Sequence, residues 1–446
     1  MADLVNRQPE DVGVLQEAGW EDVIARQQVA YAAACENFRI LRRKYDALKE
    51  CHTELLWSRA VVDAEGLGAD LAADAPVAEA DGVVGGTALG RELGRGASSV
   101  VFEGRTADGS PCAVKRIAKA SAKTLREVRT IGAECEALRA LSAGGATPAL
   151  VATMSTPKFL YVVTDLFGEE LYGHVRARGL LGPRPRLQVF AGVAAALARM
   201  HEAGYAHRDV KPENVLVDFR GDAVEVKLCD LGLAAKLPDA PRFAFDGGPP
   251  GASPDSVFAS LGQYAQPNHG PLFRCCGSMG FFAPDMLDVR GYDATRTDVW
   301  SLGCLGLELA LGSRVFADFW FVAYKTFFAA PRGAGDEAGP FRAALAPKLD
   351  AVGRASRGEP GGGACEGALP AFSPFGDLVA ACLSEAPAAR PSAAECRDRA
   401  APRARTAPTA APPRAATTAR AYDVIRGLAR PSSAPRAPSL LDAALT

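Results

Sequence analysis

The chain contains 446 residues with a formal net charge of −2, and its composition is 48% hydrophobic and 23% charged. This length suggests two to four domains, and the near-neutral balance gives no global attraction to nucleic acid or to an acidic membrane. Because no apolar run reaches about 18 residues and the first residues include no apolar segment, we expect neither a membrane span nor a secretory signal.

The number and spacing of the cysteines indicate the redox state of the compartment in which the protein is expected. Eleven cysteines are spread along the sequence, and no two of them form a C-x-x-C pair. An odd number without paired spacing argues against a disulfide framework and against a zinc site. The pattern predicts a reducing, intracellular location, either the cytoplasm or the nucleus.

Residues 1–64 are predicted to be an N-terminal helical region, because the stretch from Glu21 to about Ala64 contains no Pro or Gly. Apolar residues recur there every seven positions, as expected of a coiled coil. The two series are Ile24, Tyr31, Phe38, Tyr45 and His52, and Ala34, Leu41, Leu48 and Leu55. Two interpretations remain open: a coiled coil that forms a homodimer or binds a partner, or an amphipathic helix packed on its own chain.

Residues 65–87 are rich in Ala, Asp and Gly and are predicted to be a linker. The next range, 88–400, carries the motifs described below. The last range, 401–446, is dominated by Ala, Pro, Thr and Arg and is predicted to be a disordered tail.

Two polar stretches, His207–Asn214 and Asp230–Gly232, contain the residues best suited to chemistry. Short apolar runs between them predict two strands joined by a turn at Arg220–Asp222, which would hold both stretches close together. The oxygens of Asn214 and Asp230 suit Mg²⁺, and Asp209 is left to accept a proton from a substrate hydroxyl.

These stretches resemble the catalytic loop and the metal-binding loop of eukaryotic serine/threonine protein kinases, and the resemblance covers roughly residues 90–399. It implies an α+β bilobal fold, with a small β-rich N-lobe and a large helical C-lobe. It also implies transfer of the γ-phosphate of Mg-ATP to Ser or Thr in protein substrates, with ATP and Mg²⁺ as cofactors. Lys211 is typical of the serine/threonine branch and would contact the γ-phosphate. The overall pattern lies nearest the calmodulin-dependent-kinase-like branch.

The resemblance also implies a nucleotide site in the small lobe. A glycine-rich loop would approach the ATP phosphates, although Ser99 stands where the family usually has a third Gly. Its residues are Leu93, Gly94, Arg95, Gly96, Ala97, Ser98 and Ser99. Lys115 would hold the α- and β-phosphates, and its carboxylate partner would be Glu134, with Glu136 as the alternative.

The adenine would lie between Val101 and Ala113 on one side and Leu216 on the other. The hinge Asp165–Phe167 would hydrogen-bond the adenine through its backbone. Glu170 could contact ribose or a basic substrate side chain, and with Glu213 it could favour a basic residue upstream of the target.

The remaining family features follow in order along the chain. A loop insertion is predicted at about 236–272, and Ser278 would contact Asp209. Arg274 stands where many kinases carry an activating phosphothreonine, which puts that route of activation in doubt. Asp298 would brace the catalytic loop, and Asp285 would pair with Arg390. A second insertion is predicted at about 331–370.

One alternative is a pseudokinase that acts as a scaffold, but Lys115, Asp209, Asn214 and Asp230 are all present and favour catalysis. Cys229 directly precedes Asp230. Proximity to Lys115 and a metal ion could lower the pKa of its thiol and make it reactive, whereas a plain packing role is the alternative.

Overall fold

The computed structural model describes residues 17–62, 79–80, 82–96, 98–237, 276–287, 291–329, 338–359 and 375–408. The strands are β1 (Glu79–Ala80), β2 (Val83–Val84), β3 (Thr87–Arg95), β4 (Ser99–Arg105), β5 (Pro111–Ala118), β6 (Leu150–Ser155), β7 (Phe159–Asp165), β8 (Glu169–Glu170), β9 (Tyr205–Ala206), β10 (Val215–Arg220), β11 (Ala223–Leu228) and β12 (Ala235–Lys236). The helices are α1 (Glu17–Val62), α2 (Leu125–Leu141), α3 (Leu171–Arg178), α4 (Pro183–Glu202), α5 (Ala294–Leu311), α6 (Ser313–Ala329), α7 (Ala338–Ser356), α8 (Gly376–Cys382) and α9 (Ala393–Thr406).

The first seven strands form one antiparallel sheet in the order β1-β2-β3-β4-β5-β7-β6. Alternation along β5 buries Cys112 and Val114 on one face, where they pack with Tyr161 of β7. The other face, with Ile117, packs in the main core together with Val128 of α2. The sheet and α2 therefore form the small, β-rich part of the molecule, as predicted.

The range expected to be a linker, 65–87, contains the first two strands, so the small lobe begins earlier than predicted. Val84 is fully buried beside Val114 and Val163, and β2 pairs with β3. A single buried valine in an Ala- and Asp-rich stretch gave no periodic signal, which explains the error.

Helices α3 to α9 form the larger part of the molecule around α4 and α5. Helix α4 buries ten side chains and packs against both α5 and α9. Helix α5 begins at the N-cap Asp293, whose carboxylate accepts the amides of Thr295 and Arg296. Helix α9 continues to Thr406, within the range predicted to be a disordered tail, because Ala404 and Ala407 are buried in the core.

The predicted insertion at about 331–370 contains helix α7. Phe341 and Leu345 of this helix are buried, and Phe341 packs against Phe282 and Tyr324. Part of the range is therefore a core element. The insertion at 236–272 lies almost wholly outside the described residues, as do Arg274 and residues 409–446.

Helix α1 confirms the predicted N-terminal helix. Among the side chains described from 27 to 57, Trp57 alone is buried, and the apolar residues of the heptad series are exposed. Within the part of the chain that the structure describes, the side-chain hydrogen bonds from α1 to the rest of the molecule come from His52 and Trp57, near its C-terminal end. Among the described residues, no helix is both long and apolar enough to cross a bilayer.

Candidate active site

A cavity of about 690 Å³ lies between the sheet and the helical part, within the usual range for small-molecule sites. It is lined by nearly all of the site residues predicted from the sequence. Ser98 and Asp209 are not part of its wall, although Asp209 contacts Lys211 and Ser278, which are. Ala97 lies outside the described residues.

Asp209 is held by three neighbours at the base of the cavity. Its Oδ1 accepts a hydrogen bond from Ser278 Oγ at 2.8 Å, and its Oδ2 accepts from Lys211 Nζ at 2.7 Å. Asn214 Nδ2 donates to the same Oδ2 at 3.0 Å and to the Asp209 carbonyl at 2.8 Å. A substrate hydroxyl placed at the position of the Ser278 hydroxyl would have a carboxylate acceptor and an ammonium group beside it.

Lys115 projects from β5 between two carboxylates. Its Nζ lies 2.5 Å from Glu134 Oε1 on α2 and 3.2 Å from Asp230 Oδ1. Burial opposes the charged form of Lys115, but Glu134 and Asp230 outweigh it and raise the lysine pKa. Lys115 in turn is the main cause of the lowered pKa of Asp230. The alternative partner, Glu136, hydrogen-bonds to Tyr205 instead.

The predicted hairpin is confirmed and explains how the two polar stretches meet. Strands β10 and β11 pair from Val215 opposite Leu228 to Arg220 opposite Ala223, and Gly221 takes a positive φ of 60° at the turn. The Cys229 amide donates to the Asn214 carbonyl at 3.0 Å. This pairing places Asn214 and Asp230 at adjacent strand ends.

The donor set fits a Mg²⁺ ion. Both hydrogen bonds of the Asn214 side chain use its nitrogen, which leaves the amide oxygen to coordinate, and Asp230 supplies a carboxylate. Mg²⁺ usually takes only one or two protein carboxylates together with phosphates and water. The described residues contain no group of three or more His, Cys, Asp or Glu that could hold a metal ion.

One residue in each of the two polar stretches adopts a backbone conformation that non-glycine residues seldom adopt. Arg208 has φ 64° and Asp230 has φ 60°. Asp298, which is fully buried at the start of α5, accepts the amides of His207 at 2.8 Å and Arg208 at 2.6 Å. These charge-assisted hydrogen bonds offset the strain of the left-handed backbone at Arg208.

The glycine-rich stretch forms the end of the β3–β4 hairpin. The Gly96 amide donates to the Ser99 carbonyl at 2.8 Å, which closes a tight turn. A Cβ added to Gly94 would meet no atom within 4 Å, so the space beside this backbone is open. An anionic ligand could therefore approach the backbone closely.

The hinge Asp165–Phe167 is anchored by contacts that the sequence did not indicate. The Asp165 carboxylate accepts from Lys227 Nζ at 2.8 Å and from the Ala149 amide, and the same lysine lies 4.7 Å from the Phe167 ring centre. These contacts occupy the Asp165 side chain. The hinge backbone lines the cavity with Ala113 and Leu216, where an adenine ring would fit.

One predicted pair and one contact that was not predicted lie outside the cavity wall. Asp285 lies 2.6 Å from Arg390 in the buried interior. The guanidinium of Arg208 donates to the Leu233 carbonyl at 2.7 Å and to the Tyr292 hydroxyl at 3.3 Å. The contribution of Tyr292 was missed, because a tyrosine more than eighty residues away gives no local signal.

Burial argues against the hypothesis of a reactive Cys229. Burial raises the pKa of its thiol to about 12, and the neighbouring Asp230 adds to the shift. Lys115 and Lys211 act in the opposite direction but are outweighed. The Cys229 carbonyl accepts a hydrogen bond from His207 Nε2 at 3.1 Å, and the residue forms part of the cavity wall.

Comparison with known proteins agrees with this geometry. The protein kinase domain family model matches residues 87–400. CBL-interacting protein kinase 22 of Oryza sativa subsp. japonica is 32% identical over 268 residues, which are 55% of this chain and 54% of that protein. CBL-interacting serine/threonine-protein kinase 7 of Arabidopsis thaliana is 32% identical over 235 residues, 52% of this chain and 47% of that protein.

The chain spans about half the length of the curated relatives it matches. The family model, by contrast, covers more than half of this chain and includes every element that lines the cavity. The chain therefore belongs to the protein kinase domain family.

Proposed function

We propose that the protein is an ATP-dependent serine/threonine protein kinase that transfers the γ-phosphate of Mg-ATP to Ser or Thr hydroxyls of protein substrates. The observation that carries the proposal is the cluster of Asp209, Lys211 and Asn214 beside the Lys115–Asp230 contact. The name of one relative, CBL-interacting serine/threonine-protein kinase 7 of Arabidopsis thaliana, supports the choice of Ser and Thr over Tyr.

Each residue of the cluster has a role in this reaction. Lys115, fixed by Glu134, binds and orients the phosphates of ATP. Bound Mg²⁺, held by Asn214 and Asp230, would neutralise charge on the phosphates. Asp209 orients the substrate hydroxyl and accepts its proton, and Lys211 stabilises negative charge on the transferred group.

Phosphate transfer from labelled Mg-ATP to the chain itself and to a basic carrier protein tests the proposal. We expect label on Ser or Thr, and a loss of about 100-fold or more in Asp209→Asn and Lys115→Met. Asp318→Asn, on the exposed face of α6, is the matched control and should retain activity. Absence of transfer by the unmodified chain would instead favour the pseudokinase alternative.

We also propose a preference for a basic residue upstream of the target hydroxyl. Glu170 and Glu213 both line the cavity near Lys211, and their carboxylates could pair with such a residue. A peptide library should show selection for Arg or Lys, and Glu213→Gln should weaken it. A profile without basic selection would remove this proposal.

For the N-terminal helix we propose a parallel dimer of two copies. Helix α1 has 46 residues, which corresponds to about 69 Å, and its seven-residue apolar series is exposed, with Leu48 69% accessible. Light scattering should give twice the chain mass for the unmodified protein. The double variant Leu41→Asp/Leu48→Asp should give the mass of a single chain. Arg43→Ala, outside both series, should remain dimeric, whereas a monomeric unmodified chain would contradict the dimer.

An intracellular location, in the cytoplasm or nucleus, is the final proposal. It is supported by the described cysteines, each of which is a free thiol. Cell fractionation with a tagged full chain tests it, and recovery only from the medium would contradict it.

A further inference from the structure

The C-terminal part of α1 makes a specific contact with the small lobe. Trp57 is only 6% exposed, whereas the heptad residues before it are accessible. Its indole nitrogen donates to the Lys119 carbonyl at 3.3 Å, and the Lys119 ammonium lies 5.2 Å from the ring centre. A ring nitrogen of His52 lies 3.4 Å from the Lys123 carbonyl. The helix is therefore attached by two residues separated by about one turn and a half.

The segment that receives these contacts joins the two elements of the Lys115–Glu134 pair. It begins with the 3-10 turn Lys119–Ser121, directly after β5, and ends at Thr124, the N-cap of α2. Lys119 is fixed on its other side, because its ammonium donates to Ser155 Oγ at 2.7 Å. Trp57 packs in the same core as Ile117 of β5 and Val128 of α2.

The first turn of α2 is held rigidly, so a displacement at the N-terminus of this helix would move the whole helix. A capping box between Thr124 and Glu127 closes its first turn, and the Lys123 amide also donates to the Glu127 carboxylate. Glu134 lies ten residues after Thr124 on a continuous helix, so a shift of the first turn carries Glu134 with it. Phosphate orientation is sensitive to such shifts, because displacements of about 1 Å can cost about 100-fold in rate.

We propose that Trp57 is a positioning residue for phosphoryl transfer: α1 holds the N-terminus of α2 so that Glu134 stays in contact with Lys115. This inference rests on the proposed kinase activity. The inference also gives the sign of the effect on activity, because Lys115 contacts both Glu134 and Asp230 in the structure in which Trp57 is docked. Docking of α1 therefore supports activity and does not inhibit it.

The test uses the full chain and the variants Trp57→Ala, Trp57→Phe and Arg43→Ala. We expect Trp57→Ala to lower kcat by about 10- to 100-fold. Trp57→Phe, which keeps an aromatic ring in the pocket, should restore most of the rate. Arg43→Ala lies on the exposed part of the same helix and is the control. Unchanged or increased kcat in Trp57→Ala would overturn the proposal.

A double-mutant cycle separates positioning from general stabilisation. If Trp57 acts through Glu134, then adding Trp57→Ala to Glu134→Gln should change kcat by less than about twofold. If the kcat losses of Trp57→Ala and Glu134→Gln instead multiply in the double variant, Trp57 does not act through Glu134, and the proposal is overturned. Should Trp57→Ala fail to fold, Trp57→Leu, which also removes the aromatic ring, replaces it in the same cycle.

Hydrogen exchange provides a readout that does not depend on turnover. Trp57→Ala should accelerate amide exchange in residues 125–134, while Arg43→Ala should not. Unchanged protection there would refute the positioning role even in an active enzyme. If Trp57→Ala accelerates exchange but the unmodified chain shows no phosphate transfer, the contact between Trp57 and α2 is supported. The proposed kinase function is then contradicted.

Discussion

Lys115 on β5 and Glu134 on α2 contact each other at 2.5 Å across the small lobe, although they are 19 residues apart in the sequence. The carboxylate two residues further along, Glu136, points to Tyr205 instead. Two positions on a helix are about 200° apart, so only one of the two glutamates can face β5.

This geometry predicts opposite results for two similar variants. Glu134→Gln removes the charge that fixes Lys115, and we expect kcat/KM for ATP to fall by about 10- to 100-fold. Glu136→Gln should remain within about twofold of the unmodified protein. Steady-state kinetics on both proteins checks this, and equal losses would show that Glu134 has no special role.

The buried pair Asp285–Arg390 is predicted to matter more for stability than an exposed pair of the same type. Arg390→Met leaves a buried carboxylate without its partner and should cost about 3–5 kcal/mol in the free energy of unfolding. Arg403→Met, which breaks the half-exposed pair with Asp377, should cost about 1 kcal/mol or less.

Urea unfolding of both variants measures this difference. A further variant, Asp285→Leu/Arg390→Met, removes both charges and should recover part of the loss, because no uncompensated charge remains buried. Recovery will be partial, since Arg390 also donates to the carbonyls of Ser384 and Arg296. Equal costs for Arg390→Met and Arg403→Met would contradict this account.

Alkylation should distinguish Cys229 from an exposed cysteine. With a thiol pKa of about 12, Cys229 is almost entirely protonated at neutral pH, and its thiolate fraction should rise about tenfold per pH unit towards that value. Iodoacetamide near neutral pH should therefore label the exposed Cys51 and spare Cys229. Mass spectrometry after brief labelling measures both, and comparable rates would disprove the effect of burial.

Gly168, directly after the hinge, is predicted to tolerate no side chain. It has φ 49°, and a Cβ would overlap the Val217 carbonyl oxygen. Gly168→Ala should therefore destabilise the protein by about 1–3 kcal/mol and weaken ATP binding. Gly173→Ala, in α3 with open space around it, should be neutral or stabilising by up to about 1 kcal/mol. Thermal unfolding with and without ATP compares them.

Much of the site could be predicted from the sequence because its residues cluster in short stretches. The 207–214 and 230–232 stretches and the hairpin between them depend on local patterns, and the structure has this hairpin in the predicted place. Helix α1 was predictable for the same reason, since the absence of Pro and Gly and a seven-residue period are local signals.

Other features depended on contacts between distant residues. The burial of Val84, the continuation of α9 to Thr406 and the raised pKa of Cys229 arise from what packs around each residue, which composition does not report.

The sequence by itself determined the residue types and their order in the site. Only the tertiary structure decided between Glu134, the predicted partner of Lys115, and the alternative Glu136, and showed that Trp57 docks beside α2. The physical reason is that ion pairing and burial depend on distances between elements, and these distances are set by packing of the whole domain rather than by neighbours along the chain.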